Sequence, residues 1–190
     1  MKRLAIFASG SGSNAENIAL HFQNSLIASV SLIITNNPRA GVIRRAEKFG
    51  IPVLVFSKND FLEADKILKA LEAQNIDFLV LAGFLLLIPI EIIQAFKNKI
   101  INIHPALLPF FGGKGFFGAN VHQKVIETKT IISGITIHHV NENFDDGEII
   151  FQAACHVDKT DSANSLAEKI HHLEKRYFPI VIEKILLQLP

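Results

Sequence analysis

The stretch RLAIFASGSGSNA, residues 3–15, decides the fold because it joins three structural signals without a break. Residues 3–8 form a short apolar run that is typical of a buried strand, and Gly10 and Gly12 then allow a sharp turn. Helical spacing of apolar residues follows over residues 15–23. A strand that turns directly into a helix is the first half of a βαβ unit, so this stretch predicts an α/β fold with parallel strands.

The same alternation continues along the chain. Further strands are predicted at residues 29–35, 53–56, 78–82 and 100–104, and helices at residues 42–49, 60–74 and 89–96. Asp60 is the expected N-cap of the third helix, with Glu63 completing a capping box. Strands and helices in strict alternation indicate a mostly parallel sheet with helices on both faces.

The pattern changes after residue 109. Residues 110–118, FFGGKGFFG, are too rich in glycine for a regular element. They are followed by a short helix predicted at residues 122–128, strands at 131–139 and 149–156, and a last helix at 162–187 that Pro179 is expected to kink. The chain is therefore predicted to be one α/β domain over residues 1–190, with a doubly wound, mostly parallel sheet, an antiparallel C-terminal strand and a long C-terminal helix.

The composition narrows the possible partners. With 49% hydrophobic residues and a net charge of +1, the chain can bury a core but has no broad attraction to nucleic acid or to a membrane. Small-molecule substrates are therefore expected, bound by a monomer or a homodimer. Cys155 is the only cysteine, which excludes an intramolecular disulfide and a cysteine-based zinc site and favours a cytoplasmic location.

The glycine loop itself predicts a phosphate site. Gly10 and Gly12 expose backbone N–H groups, the following helix adds a partial positive charge, and Ser13 and Asn14 add side-chain donors. The spacing also matches a dinucleotide fingerprint, but the second strand ends TNNP, residues 35–38, without the acid that holds a dinucleotide ribose. A monophosphate is therefore the favoured ligand, and a plain strand-to-helix turn is the alternative.

A second candidate site lies at the end of the fifth predicted strand. Asn102 and His104 are two residues apart on a strand, so both side chains project from one face. Pro105 ends that strand, and ligands bind at the carboxyl edge of open parallel sheets. An amide beside an imidazole suits the stabilisation of a carbonyl oxygen that becomes an oxyanion. The residues alone leave open that both groups simply bond to neighbouring loops.

An acidic loop, NENFDDG at residues 141–147, separates the last two strands. An aspartate beside a histidine fixes the ring and favours its protonated form, so Asp145 or Asp146 is a candidate partner for His104. Asp-Gly is also a common turn pair, and taken alone the loop is better explained as a hairpin turn.

Four segments together resemble the folate-dependent formyltransferases. They are GSGSN at 10–14, LAGF at 81–84, NIHPALLP at 102–109 and DDG at 145–147, and their order and spacing match over essentially the whole chain. The NIHPALLP run is the most specific of them. The resemblance implies a Rossmann-like formyltransferase fold and 10-formyltetrahydrofolate as co-substrate, with no metal. The glycine loop, Gln152 and the segment EKRYFP at 174–179 are similar to the members that formylate the amine of glycinamide ribonucleotide in purine biosynthesis.

The resemblance also assigns roles to residues. Asn102, His104 and Asp145 would be catalytic, with a protonated His104 and the Asn102 amide meeting the developing charge on the formyl oxygen. The substrate-binding residues would be Gly12, Ser13 and Asn14 for the phosphate and Glu174 for the ribose hydroxyls. The pterin pocket would be lined by Leu85, Leu86, Leu87 and Ile88, largely through their backbone, with Asn102, Val140 and Asp145 opposite.

Some positions depart from the pattern of the family. Leu86 stands where many members have arginine, Asp146 replaces a frequent glycine, and His171 replaces a glutamine. The segment of residues 112–118 is longer than is usual in the family. It is interpreted as a mobile flap over the substrate groove, with Lys114 near the phosphate or the folate glutamate tail.

Two other functions remain open at this point. The first is formyl transfer to another amine, such as that of a sugar nucleotide. The second is a nucleotide-binding or NAD-binding module without catalysis, which would explain the glycine loop but neither the Asn-His pair nor the acidic loop. A metal site is not expected, because adjacent histidines such as His138 and His139 on a strand point to opposite faces.

Overall fold

The computed structural model describes residues 1–189. Its strands are β1 (Lys2–Phe7), β2 (Ala28–Thr35), β3 (Val53–Val55), β4 (Phe78–Leu81), β5 (Ile100–His104), β6 (Ile132–His139) and β7 (Ile149–His156). Its helices are α1 (Ser13–Phe22), α2 (Gly41–Glu47), α3 (Ala64–Ala73), α4 (Ile90–Ala95), α5 (Ala119–Glu127) and α6 (Ala163–Gln188), with a 3₁₀ turn at Asp60–Leu62. No helix in the described range has the length and apolar character needed to cross a membrane.

All seven strands form one sheet in the order β3-β2-β1-β4-β5-β6-β7. The pairs among β1 to β5 are parallel, β6 runs antiparallel to β5, and β7 runs antiparallel to β6. The predicted doubly wound α/β fold with a long C-terminal helix is therefore confirmed. Its one reversed strand is β6, whereas β7 forms the edge.

Both faces of the sheet are covered, and β1 shows how. Leu4 and Ile6 pack into a core built with α1, α2, α5 and α6, whereas Ala5 and Phe7 pack into a second core against α3 and α4. All four side chains are fully buried. Alternate residues of a strand point to opposite faces, so a strand buried on both faces is apolar at every position. This explains why β1 lacks the alternation of a half-exposed strand.

The predicted capping box at Asp60 is wrong. The Asp60 carboxylate accepts hydrogen bonds from the backbone N–H and the hydroxyl of Ser57, which closes a tight turn before any α-helix forms. Glu63 then takes a non-helical conformation, and α3 begins at Ala64. The capping box of this chain lies at the start of α6, where Ser162 and Ser165 bond reciprocally. The kink expected at Pro179 stays a prediction, and α6 continues past this residue to Gln188.

The order of the strands creates a crevice beside β1. The chain runs from β1 outward to β2 and β3, and then returns to β4 on the other side of β1. The loops that follow β1 and β4 therefore diverge, which is where open α/β sheets bind ligands. Ser9 joins the two loops, because its N–H donates to the Gly83 carbonyl and its hydroxyl accepts from the Leu85 N–H.

Candidate active site

A cavity of about 550 Å³ opens at this carboxyl edge of the sheet. Its volume falls within the usual range for small-molecule sites. Its walls come from the loops after β1, β4 and β5, from the acidic loop between β6 and β7, and from the middle of α6. It brings together the residues to which the resemblance gave catalytic or binding roles: Gly12, Ser13, Asn14, Leu85, Leu86, Leu87, Ile88, Asn102, His104, Val140, Asp145 and Glu174.

The glycine loop forms one end of the cavity. Gly12 is the N-cap of α1 and has a φ of 78°, in the left-handed region, where a side chain is strained. A Cβ added at Gly12 would lie 2.6 Å from the backbone and side chain of Val42, so α2 leaves room only for glycine. No side chain caps α1. Its first-turn N–H groups therefore stay available to an anion in the cavity.

Glu174 lies beside this loop and is almost fully buried, with 8% of its surface exposed. Its Oε2 accepts a hydrogen bond of 3.0 Å from the Asn14 side chain. Burial raises the pKa of Glu174, while the Asn14 bond and the nearby His171 act in the opposite direction. A buried carboxylate with acceptor capacity left over suits a ligand that brings hydroxyl donors.

Asn102 and His104 form the floor of the cavity at the end of β5. In the antiparallel register they lie opposite His138 and Thr136 of β6. Above them, the Asp145 carboxylate lies 3.4 Å from Nδ1 of His104 and accepts from Nδ2 of Asn102 at 3.3 Å. The structure therefore joins the three residues that the sequence predicted to act together.

Asp145, and not Asp146, is the acid of this group. The Asp146 carboxylate bonds only to the amides of Asn141 and Asn143, on the outer side of the loop. Burial by itself would raise the pKa of Asp145. The interactions with His104 and with the nearby His138 outweigh burial, with help from the Gly113 N–H, and hold the pKa of this carboxyl well below its usual range. Asp145 is therefore a stable anion at neutral pH.

The bonds of His104 differ from the expected geometry. Its Nε2 is 2.7 Å from the carbonyl oxygen of Phe111, and because a carbonyl only accepts, this nitrogen carries a proton. Only a ring with a proton on each nitrogen donates both to Phe111 and to Asp145. The donor expected to meet a formyl oxygen is thus already engaged by the loop at residues 110–118.

The family of the chain follows from comparison with known proteins. The family model described as formyl transferase matches residues 2–182, nearly the whole chain. The chain belongs to this formyl transferase family. The family predicted from the GSGSN, LAGF, NIHPALLP and DDG segments is therefore confirmed.

Individual relatives of this formyl transferase are similar over nearly its full length. It is 43% identical to the chloroplastic phosphoribosylglycinamide formyltransferase of Arabidopsis thaliana over 97% of the chain, and spans 65% of that plant protein. It is 37% identical to the Bacillus subtilis phosphoribosylglycinamide formyltransferase, covering 98% of the chain and 95% of that protein. The crystal structure of the Bacillus halodurans enzyme of the same name superimposes with a TM-score of 0.90 at 36% identity, covering 98% of this chain and 96% of the other.

The predicted cytoplasmic location is not tested by these relatives, because the Arabidopsis thaliana protein is chloroplastic. A cytoplasmic location for this formyl transferase stays a prediction. Among residues 1–189, no group of three or more His, Cys, Asp or Glu side chains is placed to hold a metal ion.

His138 is the residue of this formyl transferase that the sequence reasoning missed. Its Nδ1 donates to the His139 carbonyl at 2.8 Å, so in the neutral ring Nε2 is free to accept from Nδ2 of Asn102 at 3.1 Å. The same Nε2 lies 3.6 Å from Asp145. His138 was dismissed as half of a metal-binding pair. Period-two alternation on β6 would have placed it on the same face as Thr136, facing Asn102.

Thr136 and Gln152 support the NIHPALLP segment from below. The Thr136 hydroxyl donates to the Ala106 carbonyl and accepts from the Leu108 N–H, and both residues are buried. Gln152 donates to the Leu108 carbonyl and to Thr136. Gln152 lies within β7, so its place in the fold is that of a support under the loop.

The remaining wall of the cavity is apolar. Leu85 and Leu87 expose nearly half of their side chains, and Phe144 of the acidic loop exposes 41% of its surface. Val140 and Ile88 complete this end. The Leu85 N–H is already bonded to Ser9, so Leu85 does not offer this donor to a ligand.

Proposed function

We propose that this formyl transferase moves the formyl group of 10-formyltetrahydrofolate to the amine of glycinamide ribonucleotide. One observation carries the proposal: a single cavity is lined by an anion-binding glycine loop beside a buried carboxylate, by apolar side chains, and by the Asn102, His104 and Asp145 group. A ribonucleotide and a pterin bound in the same cavity would meet at these three residues.

The ribonucleotide fits the polar end. Its phosphate would accept hydrogen bonds from the N–H groups of Gly12, Ser13 and Asn14. Its ribose hydroxyls would donate to Glu174, which lines the cavity and keeps lone pairs beyond its bond with Asn14. A dinucleotide fits less well, because the end of β2 carries no carboxylate for a second ribose. Asn36, which follows β2, accepts a hydrogen bond from the Ser9 hydroxyl instead. Lys114 also lines the cavity and is a further positive charge near either substrate.

The chemistry needs no covalent enzyme intermediate. The unprotonated amine attacks the formyl carbon, negative charge develops on the formyl oxygen, and collapse of the tetrahedral intermediate releases the folate nitrogen. The proton that the amine loses is the one that the folate nitrogen gains. His104 and Asn102 would stabilise the oxyanion, and Asp145 would keep His104 charged and oriented.

His104 must change one bond before it can act in this way. The Nε2–H of His104 donates a hydrogen bond to the Phe111 carbonyl. The two amide N–H groups of Asn102 donate to His138 and Asp145. We infer that the formyl oxygen takes the place of the Phe111 carbonyl when both substrates are bound. The bond between His104 and Asp145 then stays in place, while the loop gives up one acceptor and Asn102 turns one amide N–H from His138 or Asp145 to the oxyanion.

A spectrophotometric assay with 10-formyl-5,8-dideazafolate tests the proposal directly. Deformylation is expected only when glycinamide ribonucleotide is added, with formation of the N-formyl product confirmed by mass spectrometry. Deformylation without the ribonucleotide would indicate a hydrolase. Turnover only with another amine, such as an amino sugar nucleotide, would overturn the choice of acceptor while leaving formyl transfer intact.

A further inference from the structure

We propose that Arg45 of α2 is a positioning residue for the phosphate, and that it acts through the peptide group between Ser11 and Gly12. This inference rests on the proposed function, since it takes the glycine loop to bind the phosphate of the substrate. Arg45 lies behind the loop, is absent from the walls of the cavity, and has no assigned role.

The contact is specific. Nε of Arg45 donates to the Ser11 carbonyl at 2.9 Å, and one turn earlier in the same helix the Val42 N–H donates to the Gly10 carbonyl at 3.2 Å. The guanidinium is fixed from its other side, because its Nη1 pairs with the Glu16 carboxylate of α1. Arg45 thus bridges the loop and the first turn of the helix that follows it.

This arrangement determines where the N–H groups of the loop point. A trans peptide directs its N–H opposite its carbonyl, and the one cis bond in the described range is at Leu108–Pro109. Since α2 binds the carbonyls of Gly10 and Ser11, the N–H groups of Ser11 and Gly12 point away from α2. The contact of Gly12 with Val42 leaves the loop little freedom to rotate out of this orientation.

The bond also strengthens the donor. A charged group that hydrogen-bonds a carbonyl polarises the whole peptide, which makes the N–H of that peptide a better donor. For Arg45 that N–H belongs to Gly12. The effect matters here because Lys114 is the one lysine or arginine that lines the cavity, so backbone donors have to meet most of the negative charge of a phosphate.

Lys48 provides a matched control in the same charge cluster. Its Nζ bonds to the other oxygen of Glu16 at 3.1 Å, and its side chain is 64% exposed. It makes no bond to the glycine loop. Arg45→Met and Lys48→Met therefore remove the same charge from the same carboxylate, but only the first removes the donor to Ser11.

The experiment compares steady-state constants of the two variants in the deformylation assay. Arg45→Met is expected to raise KM for glycinamide ribonucleotide about tenfold, with kcat and KM for the folate changed less than twofold. Lys48→Met should leave all three constants within twofold of the unmodified protein. Arg45→Lys, which keeps the charge but not the Nε donor, should resemble Arg45→Met.

Three results would overturn the inference. Equal effects of the methionine variants would assign the loss to general electrostatics. A normal KM with Arg45→Lys would show that charge alone suffices, and a parallel rise in both KM values would indicate a structural defect.

If the unmodified protein shows no turnover with glycinamide ribonucleotide, the proposed function fails separately. Titration with inorganic phosphate, followed by the amide resonance of Gly12, then tests Arg45 by the same comparison of variants.

Discussion

The two ends of the central cavity prepare for their ligands in opposite ways. At the glycine loop, the donors are backbone N–H groups that have no competing side chain, and helix α2 holds them in position from behind. At the end of β5, the polar side chains are bonded to one another, with Asp145 at the centre of bonds to Asn102, His104 and the Gly113 N–H. One end is ready for an anion, whereas the other has to exchange bonds before it can use its donors.

The two ends are therefore preorganised differently, one by rigid backbone donors and the other by side chains that are bonded to one another. Rigid backbone donors cost little reorganisation when a phosphate arrives. A closed network of side chains keeps buried polar groups hydrogen-bonded to one another. Substitutions at the two ends should therefore separate cleanly into effects on turnover and effects on substrate binding.

The largest expected effect is on turnover, at the side-chain end. His104→Ala removes the proposed oxyanion donor and should lower kcat about 100- to 1,000-fold. The dissociation constant for glycinamide ribonucleotide, measured by calorimetry, should change less than threefold, because His104 is not among the residues proposed to bind the phosphate or the ribose. Retention of normal turnover would disprove the role of His104.

A smaller effect is expected on binding, at the backbone end. Gly12→Ala places a Cβ against Val42 and forces a side chain into a left-handed conformation, so α1 and the loop have to shift. KM for glycinamide ribonucleotide should rise about tenfold, and the free energy of unfolding should fall by about 1–3 kcal/mol. Gly10→Ala is the matched control, since a Cβ at Gly10 meets nothing within 4 Å. Identical behaviour of the two alanine variants would contradict the contact between Gly12 and α2.

The smallest expected effect is on stability and concerns the charge of Asp145. Because its pKa in the folded protein is depressed, its ionised form stabilises the fold, fully so above the ordinary aspartate pKa of about 3.9. This contribution, on the order of 2 kcal/mol, is lost as the pH falls below that value. Chemical denaturation at pH 7 and pH 3 should therefore show a larger loss of stability for the unmodified protein than for Asp145→Asn. Asp146→Asn should lose as much as the unmodified protein, because its carboxylate contacts only two asparagines on the outer side of the loop.

Most of the fold could be predicted from the sequence because its signals are local. The strands at residues 100–104 and 149–156 were predicted with the bounds that the structure has. The predicted start of α3 was wrong. Asp60 has the residue type of an N-cap, but its carboxylate accepts a hydrogen bond from the N–H of Ser57, three residues earlier, and does not cap the helix. Competition between two local bonds of similar strength does not show in a spacing pattern.

The site was predictable in part, for a related reason. Asn102 and His104 share a strand, so spacing alone places them together. His138 joins them only through the register of two antiparallel strands, and the bonds of Phe111 and Gly113 depend on how a glycine-rich loop folds. Alternation along β6 indicates the face of His138 but not its partner on β5, and a glycine-rich loop has no periodic pattern that fixes its path. The family resemblance supplied Asp145, which the acidic loop by itself did not distinguish from Asp146.

The loop at residues 110–118 bonds to the proposed catalytic groups with its own backbone, through the Phe111 carbonyl on His104 and the Gly113 N–H on Asp145. Under the proposed function, the Phe111 carbonyl competes with the formyl oxygen for the His104 donor, which matters for inhibitor design. A compound that fills the apolar end beside Leu87 and Phe144 and leaves those two bonds intact would stabilise the conformation in which the loop is bonded to His104 and Asp145. Such a compound would need no mimic of the formyl group, and raising the concentration of the ribonucleotide would not displace it.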